Sequence, residues 1–358
     1  MSISPVGNSG KGWNRSLTVL CVLGACVVLV AGACGSSSQS TSAGPAPVTL
    51  RLGYFPNITH APALVGVQEG IFAKDLAPDT LDASKTFNAG PAETEAMLSG
   101  AIDVAFIGPS PSINAFSKSK GAVQIIAGAT SGGAALVTKP SITSVDDLKG
   151  KTIATPQLAN TQDVALRAFL KSKGFKTDTE GGGDVHVKPQ DNSQTIDTFK
   201  QGLIDGAWVP EPYESQLVAA GGHVLVPESS LWPNGQWVTT NVLVRTAFLK
   251  AHPATITRFL TGLLDSVNQL KTNAAAAQAA SNQQIQTLTG KKLSDSVLTA
   301  AFSDLSFTVD PLAATLKKQA ADAVSVGLLT PTKLDGIYDL TLLNALLKSK
   351  GQPEVASS

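Results

Sequence analysis

Beyond residue 34 the sequence contains no cysteine; the three it has, Cys21, Cys26 and Cys34, crowd near the start. The rest of the chain therefore has no disulfide framework, thiol nucleophile or thiolate metal site. Charge is sparse as well. Charged residues make up 15% of the 358, where an ordinary soluble domain has about 25%. Basic and acidic residues balance at 27 each, so nothing provides the positive surface that nucleic acid requires. Histidine is limited to His60, His186, His223 and His252, and no two have metal-ligand spacing. Each reads as solvated or packed, although His60, just after the first strand, is placed to line a cleft. No Gly-x-Ser-x-Gly elbow is present. Gly150-Lys151-Thr152 ends like a phosphate loop, but Val145 stands where the first glycine is required. Gly181-Gly182-Gly183 fits no dinucleotide fingerprint and reads as a turn. With no metal and no cofactor expected, the inventory argues against an enzyme.

What is present begins with a leader. Lys11 and Arg15 precede an apolar run from Leu17 to Cys34, the basic and hydrophobic regions of a secretory signal. A spanning helix is the competing reading of this run. Val30-Ala31-Gly32-Ala33-Cys34, followed by Gly35-Ser36-Ser37-Ser38, resembles the lipobox at which bacterial lipoproteins are cut before a diacylated cysteine. Leu23-Gly24-Ala25-Cys26 matches the pattern better by residue type. It leaves too short an apolar stretch before it and strands Val27 to Val30 after it, so Cys34 is the expected lipidation site. The expectation is a signal peptide over 1–33, a Ser/Gly/Pro-rich tether over 34–47, and an exported chain held at the outer face of the cell membrane. Removing 1–33 takes away two of the 27 basic residues and none of the acidic ones, leaving a net charge of about −2. No later apolar segment is long enough to span a bilayer.

From Val48 onward, short apolar runs alternate with helical segments across Gly, Pro and polar turns, which is an α/β pattern. Strands are expected at 49–54, 82–87, 102–107 and 123–127. At 134–138 the chain leaves the first lobe, and a new unit opens with strands at 151–155, 184–188 and 206–209. Residues 237–244 carry it back. The expected domains are lobe 1, formed by 48–135 and 237–358, and lobe 2, formed by 136–236, with two crossing strands as a hinge. Beyond Arg245 the sequence turns helical. Ile256, Phe259, Leu260, Leu263, Leu264, Val267 and Leu270 fall at intervals of three and four behind Pro253, an amphipathic helix with proline in its first turn. This C-terminal helical extension is expected to pad lobe 1. No repeat of 20–50 residues is found.

In open α/β sheets ligands bind at the carboxyl ends of strands. There the sequence places polar, mostly neutral groups: Tyr54, Phe55 and Asn57; Gly90 and Pro91; Gly108, Pro109 and Ser110; Thr130 and Ser131. The second unit adds Thr155, Gln157, Asn160, Thr161 and Gln162, then Trp208, Glu211 and Tyr213. Each alone reads as a cap or turn residue, and their convergence is the signal. Several open helices, whose free N–H groups favour an anion.

Arg51-Leu52-Gly53-Tyr54, Phe87-Asn88-Ala89-Gly90-Pro91, Gly100-Ala101-Ile102-Asp103-Val104-Ala105, Ile107-Gly108-Pro109-Ser110-Pro111, Val145-Asp146-Asp147-Leu148-Lys149-Gly150-Lys151, the run from Thr155 to Arg167, and Ala207-Trp208-Val209-Pro210-Glu211-Pro212-Tyr213 form an ordered set over about residues 48–260. The set closely resembles the aliphatic sulfonate, nitrate and taurine class of ABC-transporter solute-binding proteins. The resemblance implies a two-lobed periplasmic-binding-protein type II fold that closes on its ligand, a monomer serving permease subunits, and capture of a sulfonate-like organic anion. Carried over by position, Ser110, Ser131, Asn160, Thr161 and Gln162 donate to the head group, while Tyr54, Phe55, Trp208 and Tyr213 hold its alkyl or ring portion. Glu211 discriminates. Facing the cleft it suits an amine such as taurine's; capping its own turn, the favoured reading, it leaves the choice open. The alternatives are a binder of taurine, nitrate, riboflavin or a thiamine precursor. A thiamine-pyrimidine synthase is disfavoured because its cysteine-rich motif is missing, and a regulator's effector domain because no helix-turn-helix precedes Val48.

Overall fold

Leu50, Leu52 and Tyr54 are buried and alternate with the more exposed Thr49 and Arg51, the period of a strand with one face in a core. A computed structural model describes residues 46–357, and in it this stretch is the first strand. The expected signal segment, Cys34 and most of the tether lie outside the described residues. In chain order the elements are β1 (Thr49–Tyr54), α1 (Ala61–Gln68), α2 (Ile71–Leu76), β2 (Thr80–Thr86), α3 (Gly90–Leu98), β3 (Val104–Ile107), α4 (Pro109–Ser119) and β4 (Val123–Gly132). Next come β5 (Ala134–Thr138), β6 (Thr152–Thr155), α5 (Thr161–Ser172), β7 (His186–Pro189), α6 (Asn192–Lys200), β8 (Gly206–Pro210), α7 (Tyr213–Ala219) and β9 (His223–Pro227). The last are β10 (Val238–Arg245), α8 (Thr246–Ala251), α9 (Pro253–Thr272), α10 (Ala274–Thr289), α11 (Asp295–Ser303), β11 (Leu305–Phe307), α12 (Ala313–Ser325) and α13 (Thr341–Ser349).

The strands form two mixed sheets with helices on both faces, an α/β fold. The first has six strands in the order β11-β4-β10-β3-β1-β2, the second five in the order β7-β6-β8-β5-β9. β1 pairs in parallel with β2 and β3, and β10 runs antiparallel between β3 and β4. The chain passes between the sheets at β4–β5 and again before β10. At the first passage Gly132 and Gly133 have φ of +88° and +71°, a left-handed turn that residues with a Cβ resist. Two hydrogen bonds fasten it: Thr239 Oγ1 donates to the Gly132 carbonyl at 2.6 Å and the Glu211 N–H donates to the Gly133 carbonyl at 3.0 Å.

Each sheet has apolar clusters on both faces. On the first, α1, α2, α9, α10 and α13 cover one side, and α3, α4 and α12 the other. The intervals of three and four in α9 become its buried face, where Phe259 stacks on Phe72 with ring centroids 5.0 Å apart. Burying a side chain of this size contributes about 1.5–3 kcal/mol, and truncating Phe259 to alanine costs about 3–5 kcal/mol. Buried carboxylates tie the elements. Asp103 accepts from the Arg51 N–H and guanidinium and from Arg245, joining β1, β3 and β10. Asp79 accepts from Val48 N–H at 2.9 Å, Thr255 Oγ1 at 2.5 Å and Arg258, fastening the start of β1 to α9.

The C-terminal segment differs from its expectation in two ways. It contains a strand, β11, which adds to the edge of the first sheet against Thr130–Gly132. Its helices also reach the second sheet's helices, α12 touching α5 and α11 touching α7, so they bridge as well as pad. Among the described residues, no helix is long and apolar enough to cross a membrane.

Candidate functional site

The carboxyl ends of β1, β3 and β6 and the start of α6 meet around a cavity of about 20 Å³, room for about one water molecule. From the first sheet's side come Phe55, Asn57, Thr59 and His60 after β1, Asn88 before α3, Gly108 before α4, and Thr239 on β10. From the second come Asn160, Thr161 and Gln162 opening α5, Asn192 opening α6, and Pro210 ending β8. Gly108 and Asn160 are the N-caps of α4 and α5, whose first-turn N–H groups lack helical acceptors and favour negative charge. Pro109 fits the first helical position because no N–H is needed there.

No acidic or basic side chain lines the cavity, and His60 is its one titratable group. Complete burial pushes the His60 imidazole down to about 3, so it is neutral. Its Nδ1 accepts the Phe55 N–H at 3.2 Å, and the two rings stack at 4.2 Å. The remaining ring proton therefore sits on Nε2, which is a donor. Asn57 Oδ1 accepts from Thr59 Oγ1 at 2.8 Å, which leaves the Asn57 amide hydrogens free. Thr161 Oγ1 and Asn192 Oδ1 are buried with no hydrogen-bond partner among the described residues.

The loop carrying Asn160 and Thr161 is held from behind. Asp163 is fully buried and accepts from Thr155 Oγ1 and from the Ala159 N–H, both at 2.9 Å, and from Arg167 Nε at 3.1 Å. Ala159 has φ of +63°, a left-handed conformation unfavourable for alanine. The Asp163 carboxylate holds it there.

Not every expected residue reaches this cavity. Phe55, Asn57, Gly108, Asn160, Thr161 and Gln162 do. Tyr54 does not: its ring belongs to the core and its hydroxyl accepts from Gln284 Nε2 at 2.9 Å. Trp208 lies mid-strand in β8, packs on Phe169 at 5.5 Å and donates to Glu228 Oε2 at 2.7 Å. Strand parity turns both side chains into cores. Thr155 is spent on Asp163. Gly90 opens α3, where a Cβ would overlap the Pro111 ring, and Pro91 follows in the same turn. Gln157 Oε1 and Thr130 Oγ1 are buried with no hydrogen-bond partner among the described residues, outside the cavity lining. Ser131 borders a separate cavity of about 740 Å³ beside α9, α10 and α11. Ser110 opens onto a flanking compartment and Tyr213 onto the opposite groove.

Glu211 faces its own helix. Its carboxylate accepts from Ser215 Oγ at 2.7 Å and from the Ser215 N–H at 3.2 Å in the first turn of α7. Glu211, Glu214 and Asp304 bring oxygens within 4.8 Å of one another, the one such grouping among the described residues that could hold a metal. Burial raises Glu211 to about 7, and burial plus the Glu211 charge raises Glu214 to about 9. The pair is thus protonated in mild acid, which makes the crowding tolerable without a cation.

His60, Thr59, Asn88, Asn192, Pro210 and Thr239 complete the lining. Asn192 had a readable signal, since it opens a helix after a strand. Thr239 had none, because a residue inside a crossing strand carries no cap or turn mark.

These features define an α/β binding-protein architecture, with polar loops from two sheets converging on one small cavity. The NMT1-like family model matches residues 43–283, and the chain belongs to that family. The chain is similar to the taurine-binding periplasmic protein of Escherichia coli (strain K12), with 30% identity over 209 residues, 57% of this chain and 62% of that protein. The match thus spans less than two thirds of that relative. Among solved structures it is similar to the periplasmic nitrate-binding protein of Synechocystis PCC 6803, at a TM-score of 0.73 and 15% identity over 85% of this chain and 89% of that one. It is also similar to the alkanesulfonate-binding protein of Xanthomonas axonopodis pv. citri bound to MOPS, at 0.65 and 18% over 80% and 95%. At such identities the likeness establishes a shared periplasmic-binding-protein fold.

Proposed function

We propose that this chain is the solute-capturing component of an ABC importer, taking a small organic anion, an aliphatic sulfonate foremost, between its two sheets at this cavity, which widens from about 20 Å³ to admit it. The observation that carries the reading is the lining itself: neutral donors and two helix N-termini from both sheets converge where no side chain is charged. A sulfonate is anionic at every physiological pH and needs donors without proton exchange. Four or five hydrogen bonds to it, at about 1.5–3 kcal/mol each before ordering costs, are consistent with a Kd of about 1 μM, or about −8 kcal/mol. The proposed lobes are 48–135 with 237–358, and 136–236.

Taurine is the second reading, favoured by the similarity to a taurine-binding protein. Against it, the lining offers no carboxylate to an ammonium group, Glu211 being engaged with Ser215. Export, lipidation at Cys34, permease subunits as partners, a monomeric state and the absence of turnover belong to the same proposal. Calorimetry of the full chain in mild detergent against methanesulfonate, taurine, nitrate, a thiamine precursor and riboflavin tests it. One-to-one binding of a sulfonate is expected, and binding of only a neutral or cationic solute rejects the anion assignment.

A further inference from the structure

Two acidic residues flank the Gly132–Gly133 turn at which the chain first passes between the sheets. The Asp304 carbonyl lies 2.5 Å from where a Cβ on Gly132 would stand, and Glu211 Cγ lies 3.5 Å from where one on Gly133 would stand. Asp304, between α11 and β11, belongs to the proposed lobe 1, whereas Glu211 and Glu214, at the start of α7, belong to lobe 2. Oxygens of all three come within 4.8 Å of one another. Carboxyls of both lobes thus meet beside the turn about which the lobes would swing.

No counter-charge balances them. Among the described residues no lysine, arginine or histidine forms an ion pair with any of the three. Glu214 Oε2 is buried with no hydrogen-bond partner among the described residues. Of the elements packed against α7, β5 and β8 carry no titratable group. The others bring Asp191, Asp197 and Lys200 at α6, His223 on β9 and Asp295 on α11. Glu228, just after β9, acts on Glu214 with the same sign as the cluster itself. On the Asp304 side, Lys271 of α9 lines the groove that holds Ser303 and Leu305. Three carboxylates this close repel one another, so the arrangement persists while protons are shared among them. Burial foremost raises Asp304 as it raises Glu211 and Glu214.

We propose that Glu211, Glu214 and Asp304 form a proton-operated latch between the two lobes: with protons on the cluster the lobes rest together, and when the protons leave, repulsion across the gap to Asp304 parts them. This deepens the reading above by adding its regulation, and rests on its two lobes. When the lobes separate, Asp304 withdraws and water reaches the carboxyls of α7, whose proton affinity falls toward that of ordinary carboxyls. Closing therefore takes up protons. By linkage, closure weakens as pH rises through the range from about 7, for Glu211, to about 9, for Glu214.

Pulsed electron paramagnetic resonance reads the lobe separation without any solute. Spin labels go on Lys200→Cys in α6 and Lys292→Cys ahead of α11, exposed residues that line one groove between the lobes. The sample is the full chain in mild detergent and EDTA, with Cys21, Cys26 and Cys34 replaced by serine. From about pH 6.5 to about pH 9 the distance distribution is expected to move to longer values. Asp304→Asn, at an exposed position, is expected to remove that movement. Calorimetry is expected to show methanesulfonate bound at least about tenfold more weakly at the higher pH, and less than about threefold more weakly in Asp304→Asn. A distribution that does not change with pH, or that changes equally in Asp304→Asn, overturns the latch whatever the solute proves to be. If the distances move as expected and methanesulfonate binds at neither pH, the latch stands and the anion reading is what fails.

Discussion

Gly108, at the end of β3, lies so close to Thr161, at the start of α5, that a Cβ on the glycine would overlap the threonine hydroxyl. The two belong to opposite sheets, so under the proposed closure of the lobes this contact forms only as they come together. Gly108 has an ordinary φ of −67°, so its backbone does not demand glycine. Gly108→Ala is therefore expected to leave the melting temperature without ligand within about 2 °C of the parent and to weaken solute binding at least about tenfold. Calorimetry beside a thermal melt decides it. An alanine variant that binds normally would mean the lobes do not close at this point.

Asp163 offers a way to separate positioning from stability. Arg167 is as deeply buried as Asp163, so Asp163→Ala leaves an unpaired buried charge and is expected to cost about 3–5 kcal/mol in urea unfolding. Replacing both partners, Asp163→Leu with Arg167→Met, removes that charge and restores most of the stability. Binding is not restored, because the Ala159 N–H has lost its acceptor and the loop presenting Asn160 is free to relax. Recovery of affinity in the double variant would show that Asp163 serves folding alone.

The order of strands and helices, and the loops at Gly108 and Asn160 to Gln162, were legible because each follows directly on an apolar run and opens a helix. Two aromatic assignments failed for one reason. Tyr54 and Trp208 sit inside strands, where one step of register decides between cleft and core, and one sequence does not reveal that parity. His60 could be placed beside the cleft from its position just after the first strand, but its tautomer could not be read, because it depends on the bond to Phe55.

Buried carboxyls make the stability of this protein fall with rising pH. Glu211 and Glu228 are raised to about 7, Glu214 to about 9, and Glu93 well above its ordinary value, all chiefly by burial. A folded state with raised carboxyl pKa values binds more protons than the unfolded chain above about pH 4.5, so unfolding free energy drops as pH climbs. His60 acts oppositely. Depressed to about 3, it costs stability only as pH falls below its unfolded value of about 6.5. Between pH 6.5 and 9 the carboxyls act alone, and the melting temperature is expected to decline steadily, less steeply in Glu214→Gln. A flat or rising profile would contradict the burial of these groups.

His60 should act as a fixed donor, not as a charge. Its Nδ1 is occupied by the Phe55 N–H, and at about 3 its pKa lies far below the working range, so only Nε2–H is available to an anion. Replacement by glutamine retains a donor and is expected to cost less than tenfold in affinity, whereas His60→Leu removes a hydrogen bond to a charged group worth about 1.5–3 kcal/mol, or about 10–150-fold. Plots of Kd against pH for the parent and His60→Gln should run parallel from pH 5 to 8, whatever other groups contribute to their slope. If the two curves separate near pH 6.5, the imidazole is gaining a proton in the bound state. The head group would then be held by a cation, and the neutral-donor account of this cavity would have to be abandoned.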